Sequence, residues 1–335
     1  MKAVAFTHSL PITAEESLVD VDLPEPTPRR HDVLVEVRAV AVNPVDTKIR
    51  RRNEPLGEPR ILGFDAAGIV RQVGSSVTQF GVGDEVYYAG AVDRSGSNAQ
   101  YQIVDERLIA RKPRSLSFAE AAALPLTTLT SWEMLFDRFA IPRDRTRGDT
   151  LLIVGGGGGV GSMAIQLAAH LTGLTVVATA SRPETRAWCS ALGAHHVIDH
   201  HRDIAAQILA CEVAPPAYIF CTNHVESHWR ALCRTLAPEG HIGLIETTPP
   251  LDLHELFNKS ASIHTESMFA RSLHQTPRMN EQHQILQAVS RLIDQGVLRT
   301  TLTENYGSIN AANLRRAHAA IESGHTHGKI VLEGF

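Results

Sequence analysis

Residues 151–169 read LLIVGGGGGVGSMAIQLAA, and this stretch decides the fold. Four apolar residues run into five glycines, and beyond them Val160, Met163, Ala164, Leu167, Ala168 and Leu171 recur at helical spacing. The apolar run is short, β-branched at its end and closed by glycine, as a buried parallel strand is. The reading is therefore strand, glycine turn, helix, followed by a second strand over residues 174–179. Gly156, Gly158 and Gly161 fit G-x-G-x-x-G, with a separate task expected of each: a tight turn, close approach of backbone to a pyrophosphate, and close helix-to-strand packing. The N–H groups and positive dipole end of the new helix suit a phosphate pair. A merely flexible glycine turn would not need strand, helix and strand in this order.

A dinucleotide site selective for the unphosphorylated coenzyme carries an Asp or Glu about 20 residues past the glycines. Residues 178–185 instead read ATASRPET, with Ala180 at the acidic position and Ser181 and Arg182 next. A hydroxyl and a guanidinium without a carboxylate favour a 2′-phosphate, hence NADPH. The alternative is that Ser181 and Glu184 form a capping box for the next helix and Arg182 is a solvated charge, which is compatible with phosphate binding.

The 335 residues suggest two domains. A net charge of −4 and only short basic clusters, at 50–52 and 143–147, give no nucleic-acid footprint. Cys189, Cys211, Cys221 and Cys233 never take C-x-x-C spacing, which predicts reduced thiols and a cytoplasmic location. The N-terminal apolar run is too short for a secretory signal, and no apolar run is long enough to span a membrane. Among the 17 histidines the densest set is His195, His196, His200 and His201. On one strand face His196 and His200 would stand about 13 Å apart, too far for one ion, so they read as solvated strand and loop ends.

Residues 1 to about 115 hold short β-rich runs punctuated by glycine and proline, for example EPTP at 25–28 and GVGD at 81–84, as in a barrel-like domain. Helical character starts at Ser117 and Thr130, and from Thr150 strands and helices alternate through 196–199, 217–221 and 240–246, predicting a doubly wound parallel sheet. The tail offers a helix from about Asn280, a second one with Asn310 as N-cap, and a last strand KIVLEG that is expected to return to the N-terminal domain. The fold class is α/β, with a β-rich catalytic domain of residues 1–125 and 270–335 and a Rossmann domain of residues 126–269. A cleft between the two is expected to hold substrate against nicotinamide.

The order AVAVNPVDTKIR, ILGFDAAGIV, FGVGDEV, GGGGGVG and closing GKIVL resembles the medium-chain dehydrogenase/reductase superfamily over nearly the whole chain. Within it the likeness is to the zinc-free NADPH:quinone oxidoreductase branch and its zinc-type alcohol dehydrogenase-like group. That resemblance implies a GroES-like catalytic domain, an NADPH cofactor, a small quinone or enone substrate and a homodimer. The places of the catalytic zinc ligands look occupied by Asn43, Phe64 and approximately Leu126, none a thiolate or imidazole, and the segment 91–110 lacks the cysteines of a structural zinc lobe. The resemblance also assigns roles. Gly156, Gly158, Gly159 and Gly161 form the pyrophosphate loop, Val160 backs the nicotinamide, and Thr130 sets a hydroxyl under its ring or caps a helix. Lys329 approaches the cofactor phosphates, and Asn43 touches the substrate oxygen or nicotinamide ribose. Lys48 replaces a common tyrosine. The segment 42–49, VNPVDTKI, follows an alternating strand, and Pro44 interrupts any ladder there, so Asn43 and Lys48 are free to face substrate or, alternatively, to cap a turn and carry a solvated charge. Without a metal Lewis acid an unactivated alcohol is hard to oxidise, whereas hydride delivery to a quinone or enone spreads charge onto a remote oxygen. The expected function is NADPH-dependent reduction of quinones or α,β-unsaturated carbonyls. The alternatives are a zinc-independent alcohol or carbonyl oxidoreductase and a non-catalytic NADPH-binding protein.

Overall fold

The computed structural model describes residues 1–143 and 148–335, so of the basic cluster at 143–147 only Arg143 lies among the described residues. The chain divides into two compact units, residues 1–126 with 269–335, and residues 127–268.

The first unit is β-rich. Its strands are β1 (Lys2–Phe6), β2 (Val19–Asp22), β3 (Asp32–Ala41), β4 (Arg60–Ile61), β5 (Asp65–Val73), β6 (Glu85–Tyr88), β7 (Tyr101–Asp105) and β8 (Ile109–Arg111). The organising strand is β3, whose Val33, Leu34, Val35, Val37 and Val40 are all buried. It pairs antiparallel with both β5 and β7, and register shifts at Leu34/Val35 and Val37/Ala39 mark irregularities that bend such a sheet. Val42 follows the strand, and a helix, Pro44–Arg52, begins within the VNPVDTKI segment. Pro44 interrupts the ladder as expected, but it does so at the first helical position, where its missing N–H is no loss.

The second unit carries the parallel sheet: β9 (Thr150–Val154), β10 (Thr175–Thr179), β11 (His196–Ile198), β12 (Tyr218–Cys221), β13 (His241–Leu244) and β14 (Ser262–Thr265). The order is β11-β10-β9-β12-β13-β14, with every pair parallel. Leu151, Leu152, Ile153 and Val154 are all buried, which is why the run is continuously apolar instead of alternating. The order reverses between β9 and β12, the switch point at which open α/β sheets bind ligands.

The tail returns to the first unit with β15 (Leu302–Asn305) and β16 (Lys329–Glu333). Strand β16 pairs antiparallel with β3, setting Val331 opposite Ala41. The tail helix Ala311–Glu322 is capped by Asn310, whose side chain accepts the Asn313 N–H at 2.9 Å. Among the described residues no helix is long and apolar enough to cross a membrane.

Candidate functional site

The glycine turn joins β9 to the helix Gly159–Leu171. The positive φ belongs to Gly155, at +81°, so the tight turn falls one residue earlier than expected. A Cβ at Gly156 would meet Ala178 Cβ at 2.8 Å and Cys189 Sγ at 3.0 Å, which makes this glycine a packing residue against β10. A Cβ at Gly161 would stand 2.3 Å from the Gly155 carbonyl oxygen, closing the helix onto the turn. Gly158 is different. It is the exposed N-cap, and a Cβ there would touch only the Gly155 oxygen at 3.6 Å. Among the described residues nothing demands a glycine at this position, and its exposed backbone is open to approach from outside. The first bond of the helix runs from Ser162 N–H to Gly158 C=O at 2.8 Å. The N–H groups of Gly159, Val160 and Gly161 precede that bond and open toward the helix N-terminus, where an anion is stabilised. These residues fit a dinucleotide pyrophosphate.

At the end of β10, Ala180 is buried, and Ser181 and Arg182 are half-buried. The capping box between Ser181 and Glu184 does not form. Pro183 occupies the first turn, so Arg182 is the N-cap of the helix Pro183–Ala191, and Thr185 Oγ1 donates to the Arg182 carbonyl at 3.0 Å. The Arg182 guanidinium lies 3.1 Å from Glu184 Oε1. Thr130 is buried within the helix Pro125–Trp132, so its capping role falls away. Ser131 Oγ, next to it, donates to the Val160 carbonyl at 3.0 Å and ties that helix to the glycine turn.

The first unit contains a buried polar cluster that sequence reasoning scatters over three roles. Lys329 Nζ donates to the Val42 carbonyl at 3.0 Å, to Asp65 Oδ2 at 2.9 Å and to Asn43 Oδ1. An ammonium has three N–H groups, so Lys329 is not arranged to meet a cofactor phosphate, and its side chain is 4% exposed. Asn43 Nδ2 donates to Asp65 Oδ2 at 2.9 Å and to the Ala41 carbonyl at 3.3 Å, which commits its amide as well. Asn43 is also the N-cap of the helix Pro44–Arg52, in keeping with the alternative reading of this residue as a cap. Leu126 N–H closes the set on Asp65 Oδ1 at 2.7 Å. Asp46, at the third position of its helix, accepts the Asn43 N–H at 2.7 Å and the Gly63 N–H at 3.2 Å. Burial pushes its carboxyl up to about 7, outweighing those N–H bonds and the Lys329 charge that lower it, and the Asp65 charge adds to the rise. Lys48 is half-buried on the same helix. Sequence reasoning does not single out Asp46 and Asp65 as site residues, although both lie in segments it marks, VNPVDTKI and ILGFDAAGIV.

Of the three positions compared with zinc ligands, Asn43 and Leu126 therefore bond to an ion pair, and Phe64 directly precedes Asp65 in the chain. Phe64 is buried against Phe269 with ring centroids 4.9 Å apart. A zinc ion does not fit this donor set: beside an amide, a phenyl ring and a backbone N–H, the Asp65 carboxylate is taken by Lys329 and the Leu126 N–H, and the Asp46 carboxylate by the N–H groups of Asn43 and Gly63. Among the described residues no group of three or more His, Cys, Asp or Glu side chains is arranged to hold a metal.

Residues 29–114 match the alcohol dehydrogenase GroES-like domain and residues 192–332 the zinc-binding dehydrogenase domain. A zinc-type alcohol dehydrogenase-like protein of Staphylococcus aureus is 39% identical over 335 residues, covering 99% of both chains. The chain belongs to the medium-chain dehydrogenase/reductase superfamily. A solved structure from Rhizobium etli CFN 42, named for zinc-dependent alcohol dehydrogenase, is 51% identical with a TM-score of 0.96 and covers 100% of this chain and 98% of that one. Escherichia coli quinone oxidoreductase complexed with NADPH is 25% identical with a TM-score of 0.84, over 99% of this chain and 100% of that one. The 2-methylene-furan-3-one reductase of Solanum lycopersicum is 40% identical over 216 residues, 61% of this chain and 53% of the reductase. The protein is an oxidoreductase of this superfamily, and the zinc in the names of some relatives finds no ligand set among its own described residues.

Proposed function

We propose that the protein is an NADPH-dependent reductase of quinones or α,β-unsaturated carbonyls that works without zinc. The observation that carries this reading is the Lys329–Asp65 pair, which fills the site of the first unit with an ammonium where a metal centre would need open donors. Bound NADPH supplies the hydride. The exposed backbone at Gly158 and the N–H groups after it bind its pyrophosphate, Val160 and Thr130 border its nicotinamide, and Ser181 with Arg182 receives its 2′-phosphate. The buried cluster around Asp65 fixes Asn43 and the start of the helix Pro44–Arg52, and that helix carries Lys48. Lys48 stabilises negative charge developing on the acceptor oxygen or supplies its proton. The E. coli neighbour complexed with NADPH and the tomato reductase support this choice of chemistry.

The test is NADPH consumption by purified protein against a panel of quinones, enones and simple aldehydes, with metal content measured on the same sample. Turnover of quinones or enones is expected. Preferential turnover of aldehydes or alcohols would make it a carbonyl oxidoreductase, and tight NADPH binding without turnover would make it a non-catalytic binding protein.

A further inference from the structure

Three histidines of the second unit, His200, His201 and His228, meet at the C-terminal edge of its sheet, with a fourth, His224, close by. His200 and His201 follow β11, while His224 and His228 belong to the start of the helix Val225–Thr235 that follows β12. His196 and His200 do not share a strand face, because β11 ends at Ile198 and the chain turns. The His200 ring instead lies 4.3 Å from that of His201 and 5.9 Å from that of His228, centroid to centroid. His200 and His228 are half-buried, and His201 and His224 are exposed. His200 Nδ1 is buried and has no hydrogen-bond partner among the described residues.

The Arg186 guanidinium spans the ends of β10 and β11, donating to the Ala180 carbonyl at 3.2 Å and to the Val197 carbonyl at 2.7 Å. Asp199 faces His200, but its carboxylate already accepts the His201 N–H at 2.9 Å and stands 3.7 Å from Arg202. Asp203 caps the helix Ile204–Ala210 through the Ala206 N–H at 3.0 Å. On the other helix, Glu226 and Arg230 line a separate pocket with Asp252 and Glu255. Burial and the neighbouring imidazoles hold His200 and His228 below the ordinary histidine range, so these two rings favour their neutral form. Among the described residues no three of the cluster's members are arranged to hold a metal.

Strands β10 and β11 are parallel neighbours, with Thr179 opposite Ile198, and Ala180 N–H donates to the Ile198 carbonyl at 2.9 Å. The strands that lead into the turn carrying Ser181 and Arg182 and into the turn carrying His200 and His201 therefore end side by side at the same edge of the sheet, one strand spacing of about 4.8 Å apart at Thr179 and Ile198. We propose that His200, His201, His224 and His228 form a phosphomonoester site that takes up protons as the anion binds, making recognition of a 2′-phosphate dependent on pH. For the source of that phosphate the inference rests on the NADPH reading above. A dianion beside the imidazoles favours their charged form, so binding and protonation reinforce each other.

Calorimetric titration at pH 7.5, in buffers of unequal ionisation heat, tests this with NADPH, NADH, 2′-AMP and inorganic phosphate. At that pH a phosphate monoester is already mostly dianionic, its second pKa being about 6, so proton uptake must come from the protein. NADPH and 2′-AMP are expected to bind with proton uptake and NADH without it. NADPH affinity should rise as pH falls from 8 to 6.5. The double variant His200→Asn with His228→Asn should lose the uptake and about tenfold in NADPH affinity at pH 6.5 while keeping NADH affinity. His201→Asn, at an exposed position, should shift both in the same direction by less, and it serves should the double variant fail to fold. NADPH binding without uptake and untouched by these variants would overturn the inference and leave the coenzyme reading standing. Preference for NADH together with proton-linked binding of free phosphate, lost in the variants, would support the site and remove NADPH as its source. Preference for NADH with no proton-linked phosphate binding would remove both.

Discussion

The ammonium of Lys329 lies 2.9 Å from Asp65 Oδ2, both side chains almost wholly out of solvent and 264 residues apart in the chain. Strand β16 brings Lys329 beside the end of β3, and β5 begins at Asp65 on the other side of β3. The two charges, with Asn43 between them, hold the last strand and the first helix of the unit to one point. A buried pair of this kind gives modest net stability when intact but a large loss when one partner is removed.

Lys329→Met should therefore leave the Asp65 carboxylate buried without its counter-charge and cost about 3–5 kcal/mol in urea unfolding. The double variant Lys329→Met with Asp65→Asn should recover much of that loss. NADPH affinity of the folded fraction should stay at the wild-type level, since the ammonium serves Asp65. A Lys329→Met protein as stable as wild type but weak in NADPH binding would return the lysine to the cofactor.

Asp46 makes stability depend on pH in the direction opposite to most carboxylates. Its folded value is about 7 against an ordinary 3.8, so between those limits the folded state binds more protons than the unfolded one. The contribution is fully present below 3.8 and is lost as pH rises through about 7, at roughly 1.4 kcal/mol per pH unit between the two values. Unfolding of wild type and Asp46→Asn should be compared at pH 5 and pH 8. The variant is expected to lose less stability over that interval, and equal slopes would show that Asp46 is ionised throughout.

Two glycines of one loop should fail in different ways. At Gly158 an added Cβ meets no atom closer than ordinary contact, so thermal stability of Gly158→Val should change little while NADPH binding is severely weakened. Gly161→Ala forces a Cβ to 2.3 Å from the Gly155 oxygen and should destabilise the unit itself. Calorimetry with parallel melting curves separates the two, and wild-type NADPH affinity in Gly158→Val would mean the ligand does not pass there.

Arg182→Ala should raise the Michaelis constant for NADPH and barely alter that for NADH, a cost of roughly 1.5–3 kcal/mol for one charged hydrogen bond. Equal losses for both coenzymes would assign Arg182 to the helix start it caps.

Purified protein should carry no stoichiometric zinc, and chelation should leave turnover unchanged, because Asn43, Phe64 and Leu126 offer no thiolate or imidazole. Near one zinc per chain, lost together with activity, would defeat the metal-free reading.

The sequence by itself determined the parallel sheet and its glycine turn, since a buried strand and an amphipathic helix write their periods into consecutive residues. The start of the helix after the glycines was legible for that reason, and that Asn43, Phe64 and Leu126 are neither thiolate nor imidazole is a matter of residue type alone. Only the tertiary structure decided where the polar groups point. Asn43 with Asp46, Asp65 and Lys329 come from three separate segments, and His200 meets His228 across two elements. Local periodicity carries no signal of such pairings. Burial then changes their chemistry: an ammonium in water could seek a phosphate, but out of water it must take the nearest acceptors, and the fold supplies Val42, Asn43 and Asp65.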